Sequence, residues 1–214
     1  MQTKKYLIIT ILGITLIMVS ACDIKKYYSP GASSCPSASV MKLRDAMREL
    51  WALHVIWTRE YIVAAVAGTP DVKDVTERLL RNQDDIGNAV ASYYGKDAGH
   101  ALAKLLREHI LLGAEVVMDA KAGDQAKLAD ADKRWHANAQ ELAKFLSDAN
   151  PHWPFKALVD MFYEHLRLTT EEAVAHIKKQ WQQDIKAFDS VFAQIMIMAD
   201  DLSDGIIKQF PDKF

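Results

Sequence analysis

Leu50-Trp51-Ala52-Leu53-His54-Val55-Ile56-Trp57-Thr58-Arg59-Glu60 is apolar along one helical face and carries a single imidazole in the middle of that face. Two later stretches echo it. They are Leu105-Leu106-Arg107-Glu108-His109-Ile110, running on to Glu115, and Met161-Phe162-Tyr163-Glu164-His165-Leu166, running on to Glu171. In each, a Leu or Met stands four before the histidine, an aliphatic residue follows it, and a glutamate lies six after it. Residues four apart share a face at 3.6 residues per turn, so each stretch reads as a helix with its histidine on the buried stripe.

Outward from these stretches the helical period continues. Leu43, Met47, Leu50, His54, Trp57, Tyr61 and Ala64 step by fours and threes along a first helix that begins at Met41 and stops at Gly68. Thr69 and Pro70 read as the cap and first position of a second helix, with Val75, Leu79, Asn82, Ile86 and Tyr93 on its seam and Gly95 at its end. A third helix carries Leu102, Leu105, His109, Leu112 and Val116 up to Gly123, and a fourth carries Trp135, Asn138, Leu142 and Phe145 up to Asn150-Pro151. A short fifth holds Leu158, Met161, His165 and Leu168. Thr169 to Glu172 reads as a capping box that opens a long last helix through Trp181, Phe188, Ile195 and Leu202. No β-type alternation competes, so the fold class is all-α. Two architectures fit: a plain antiparallel bundle of four to six helices, or three weakly repeated helical hairpins.

The repeat rests on spacing. His54, His109 and His165 are 55 and 56 residues apart, and 56 also relates Asp74 to Asp130, Arg78 to Arg134, and Asn82 to Asn138 to Gln194. Each hairpin would pair a histidine helix with an amide helix. A buried polar group without a partner costs about 1–3 kcal/mol. The seam histidines and amides are therefore expected to bond one another, as a core network that fixes register. The sharper reading is a metal or ligand site on His54, His109 and His165, with Asn82, Asn138 and Gln194 behind them as hydrogen-bond acceptors. That reading needs the three histidine helices to surround one axis and would take a divalent metal. Hairpins stacked in a row would separate the first and third histidine helices by about 16–20 Å. Glu60, Glu115 and Glu171 lie off the seam and read as solvated, and Asp184 is either exposed or a buried counter-charge for a histidine or Arg59.

The N-terminus gives a cellular address. Lys4-Lys5 precedes an apolar run from Tyr6 to Val19, shorter than the roughly 20 residues of a spanning helix. Val19-Ser20-Ala21-Cys22 resembles a bacterial lipobox, which implies cleavage before Cys22 and acylation of that residue, palmitate included. Residues 1–21 are thus expected to be a lipoprotein signal peptide, 22–40 a disordered tether rich in Ser, Pro and Ala, and 41–214 the helical domain. The expected location is the extracytoplasmic face of the cell membrane. Asp23 resembles an inner-membrane retention signal where two membranes exist. With Cys22 lipidated, Cys35 has no partner within the chain.

Function is less legible. Net charge is −2 with both signs interleaved, which argues against nucleic acid as a partner. No phosphate loop, dinucleotide fingerprint or nucleophile elbow is present, and no catalytic residue is assigned. The segments LWALHVIWTREYIV, RLLRNQDD and the closing GIIKQFPDKF resemble an uncharacterised bacterial all-helical family, over about Met41 to Phe214. Members sometimes carry the labels acetylglutamate kinase or glycosyltransferase. Both chemistries need strand-borne loops that this sequence lacks, and the resemblance supplies no catalytic residues. The expectation is a lipid-anchored binding protein for a partner protein or small ligand, with metal binding by the seam histidines as the alternative.

Overall fold

The computed structural model describes residues 36–214. Cys22, the lipobox, the signal peptide, Cys35 and most of the tether lie outside the described residues. Among the described residues six α-helices follow one another without a strand: α1 Ala38–Ala67, α2 Val72–Tyr94, α3 Lys96–Ala122, α4 Gln125–Ala149, α5 Phe155–Ile177 and α6 Trp181–Gln209. A 3₁₀ turn, Pro211–Lys213, closes the chain. α1 starts three residues before the expected Met41, because Ser37 caps it by accepting from the Val40 N–H at 3.2 Å.

Each helix packs against the next, and α6 returns to α1, so the set closes into a ring. α1, α3 and α5 also touch one another in pairs. Short connections make successive helices antiparallel, so these three histidine-bearing helices run in the same direction. They surround one axis, and the stacked-row alternative does not occur. The bundle is built as three hairpins, α1–α2, α3–α4 and α5–α6.

The turns inside the hairpins correspond. Gly68, Gly123 and Lys179 have positive φ, at 70°, 73° and 57°, each fourteen residues after its histidine. At each, the following N–H reaches back five residues: Thr69 to the Ala64 carbonyl at 3.1 Å, Asp124 to Asp119 at 3.2 Å, and Gln180 to Ala175 at 2.9 Å. This is the Schellman closure, which satisfies carbonyls that the helix end leaves over. The sequence expectation of a break at Thr169 is therefore corrected. α5 runs straight through it, since the Thr169 hydroxyl donates to the His165 carbonyl one turn back (2.9 Å) and the Glu172 carboxylate turns away to Arg59. The same four residues that spell a capping box are mid-helix here because both side chains have other partners. Similarly, Thr69 donates to Ala64 at the end of α1 rather than capping α2, which starts at Val72.

The core is split. Met47, Trp51 and Val55 of α1 belong to a large apolar cluster with Ile86, Leu106, Leu142, Phe162 and Ile195. Tyr61, Ile62 and Ala65 of the same helix belong to a smaller one with Leu79, Ile110 and Val117. His54 sits on α1 beside the junction of the two.

Candidate functional site: a three-histidine chamber

Periodicity places His54, His109 and His165 indoors, and they are 3%, 4% and 4% exposed. Each is held by an amide 29 residues later in the chain, on the partner helix of its own hairpin. The Nδ1 of His54 meets Gln83 Oε1 at 3.3 Å, that of His109 meets Asn138 Oδ1 at 2.9 Å, and that of His165 meets Gln194 Oε1 at 3.1 Å. In the second and third hairpins the same amide also donates to the carbonyl four residues before the histidine. Asn138 donates to Leu105 at 3.2 Å and Gln194 to Met161 at 3.1 Å. In the first hairpin two residues share these tasks. Gln83 holds the ring, while Asn82 donates to the Leu50 carbonyl at 3.0 Å and accepts from Gln83 Nε2 at 3.1 Å. Of the three expected amide partners, Asn138 and Gln194 touch their histidines. Asn82 does not: it lies 28 residues after His54, one short of the shared register, and its amide turns to the Leu50 carbonyl instead. The 29-residue register would have identified Gln83.

These bonds fix the tautomers. A backbone carbonyl only accepts, so Asn138 must turn its NH₂ to Leu105 and its oxygen to His109. His109 must then carry its proton on Nδ1. The same logic applies to Gln194, and to Gln83 through its bond to the Leu79 carbonyl at 2.9 Å. Burial keeps all three rings neutral. It pushes His109 down to about 3 and His165 to about 4, and His54 well below the ordinary histidine value, with repulsion from His165 adding to the effect at His54 and His109. Each Nε2 is therefore a lone pair. Among the described residues none of the three makes a hydrogen bond.

All three rings line one chamber of about 30 Å³, walled by Tyr61, Ile62, Leu79, Ile110, Val117 and Trp135 among others. That is room for roughly two water-sized spheres. Ring centroids of His54 and His165 are 5.6 Å apart, and those of His109 and His165 are 6.5 Å apart. Trp135 packs on His109 at 5.4 Å, and its indole N–H is buried without a partner. It occupies the space left by Gly113, where a Cβ would stand 3.1 Å from the indole ring. In the other two hairpins the position four after the histidine is Thr58 or Thr169, each donating to its own histidine carbonyl. Among the described residues no three His, Cys, Asp or Glu side chains stand as a ready-made metal set.

A second polar cluster ties α1 to the α5–α6 turn. Arg59 donates to Glu172 at 2.6 Å and to Asp184 at 2.8 Å, and His176 Nδ1 lies 2.9 Å from Asp184. Burial raises the Glu172 carboxyl to about 7 despite Arg59. At Asp184 burial opposes ionisation, but Arg59 and His176 outweigh it and its value is lowered. Asp184 is thus the buried counter-charge, not an exposed residue. Glu60, Glu115 and Glu171 are exposed as expected, the last two paired with Arg134 and Arg167. No helix among the described residues is long and apolar enough to cross a membrane. Comparison of the chain with protein-family models, with curated proteins and with solved structures gives no match.

Proposed function

We propose that this protein is a lipid-anchored, extracytoplasmic binding protein that holds a small ligand in the three-histidine chamber. One observation carries the reading: three neutral imidazoles, each fixed through Nδ1 by its own amide and none hydrogen-bonded through Nε2, line one small cavity. A hydrogen-bonding network serving register alone is complete at Nδ1 and gains nothing from three acceptors left over beside a void. The chamber offers three unbonded imidazole acceptors against one unpartnered donor, the Trp135 indole N–H, so its ligand brings donors or positive charge. Its size limits that ligand to a few atoms. Membrane attachment is carried by the Val19-Ser20-Ala21-Cys22 motif. Several acyl chains, at about 0.8 kcal/mol per buried CH₂, would hold the chain firmly.

Mass spectrometry of the full chain in detergent tests the binding reading. Under native conditions the protein should carry a small mass increment, supplied either by the cell or by added ligand, that disappears on denaturation and is missing from His109→Leu. A chain that never carries such an increment removes the reading. Replacing Cys22 with Ser should release the protein from the membrane fraction; retention there would refute the anchor.

A further inference from the structure

We infer that the chamber is a transition-metal site, taking one d¹⁰ cation, monovalent copper ahead of divalent zinc, on Nε2 of His54, His109 and His165. The inference rests on the ligand-binding reading above and names the chemistry of the ligand. Neutral imidazole is a common metal ligand, and in metal sites the other ring N–H is characteristically donated to an oxygen that fixes tautomer and orientation. Here that arrangement occurs three times in one register: His54 to Gln83, His109 to Asn138, and His165 to Gln194. The amides are themselves anchored to main-chain carbonyls, so the rings are positioned from behind.

Charge selects the ion. None of the residues lining the chamber is Asp, Glu or Cys, so three imidazoles leave the full ionic charge in apolar surroundings. The cost of burying an ion grows with the square of its charge. A monovalent ion is favoured for that reason, and imidazole donors suit copper as well as zinc. Metal–nitrogen bonds of 2.0–2.1 Å would place two ring centroids about 5 Å apart. The 5.6 Å between His54 and His165 is close to this, while the 6.5 Å between His109 and His165 is about 1.5 Å longer; the three side chains do not stand at ligating distance of one point in this structure, so binding draws the His109 ring inward. The remaining room fits roughly one water-sized molecule beside the ion.

The test uses the full chain in detergent, stripped with chelator. It is titrated anaerobically with Cu(I) against a chromophoric Cu(I) chelator, and in parallel with Zn(II). The expected result is one copper per chain, held more tightly than zinc. Nitrogen NMR of labelled histidines should show three Nε2 signals moving while the Nδ1–H signals persist. This readout needs no variant. His109→Leu should lose the uptake, Asn138→Leu should weaken it by about 10–100-fold, and the exposed His100→Gln should leave it unchanged. Uptake of zinc but not copper, or copper uptake that leaves the Nε2 signals in place, overturns the inference. So does a non-metal mass increment lost on denaturation, which leaves the ligand-binding reading standing. Absence of both metal and increment removes the two together.

Discussion

Replacing Asn138 with Leu tests whether the amide behind His109 is what holds the ring. The two side chains are similar in size, so the substitution removes polarity with little change of volume. It leaves two groups without their partner, the His109 Nδ1–H and the Leu105 carbonyl. Their costs differ. The Leu105 carbonyl already sits within α3, where it can still accept from the N–H one turn on, so its loss is small. His109 is buried, and its Nδ1–H has no other acceptor. An unsatisfied buried donor costs about 1–3 kcal/mol. The ring can escape part of this by moving its proton to Nε2, which places the cost in the lower half of that range. For a unit of this size 1 kcal/mol corresponds to about 2–4 °C in Tm. Asn138→Leu should therefore lower Tm by about 2–8 °C. The His109 nitrogen signals should also change from the Nδ1–H to the Nε2–H pattern. Asn82→Leu is the internal comparison: it removes the donor to Leu50 but leaves Gln83 on His54, so its His54 tautomer should not change. If Asn138→Leu melts within a degree of the parent, or if parent His109 is already protonated on Nε2, the positioning argument is wrong.

Acid should weaken the fold through the same rings. Their folded values lie below the unfolded value of about 6.5, so the unfolded chain binds more protons and stability falls as pH drops from about 6.5 towards 4. His165 contributes about 2 kcal/mol of that loss between pH 7 and 5. Denaturant midpoints for His165→Leu should show a correspondingly flatter pH dependence, and an unchanged slope would contradict the neutral buried ring. Glu172 acts with the opposite sign. Its carboxyl is raised to about 7, so protonation favours the folded state. Arg59→Met, which strands the Glu172 carboxylate and leaves Asp184 with His176 alone, should cost about 3 kcal/mol. Its Tm deficit should shrink between pH 8 and pH 6; a deficit that stays constant would show that Glu172 is not the group left stranded. Lys179→Gly should raise stability by about 1 kcal/mol, because Lys179 holds a left-handed conformation that glycine occupies without strain; denaturant unfolding measures this, and a loss would show the turn depends on the lysine side chain. Because the three rings are already neutral, ligand uptake at pH 7 should release no protons from them, which calorimetry in two buffers of different ionisation enthalpy would detect.

The sequence by itself determined the helices, the burial of the three imidazoles and the pairing of histidine helices with amide helices. These follow from local spacing: a 3.6-residue period fixes which residues share a face, and a polar residue on an apolar face must find a partner. Gly68, Gly123 and Asn150-Pro151 marked their turns because glycine and proline restrict the backbone locally. Three things were decided only by tertiary structure. The turn at Lys179 carries no glycine or proline, so only the closure around it reveals the break, and Thr169-to-Glu172 imitated a helix start because its partners, the His165 carbonyl and Arg59, are supplied by the fold. Gln83 rather than Asn82 reaches His54, since which of two adjacent amides faces the ring depends on how α2 is rotated against α1. The chamber exists because α6 packs back on α1, which brings three helices around one axis. No periodicity within a helix encodes that closure; it arises from contacts between side chains more than a hundred residues apart, such as Arg59 with Asp184.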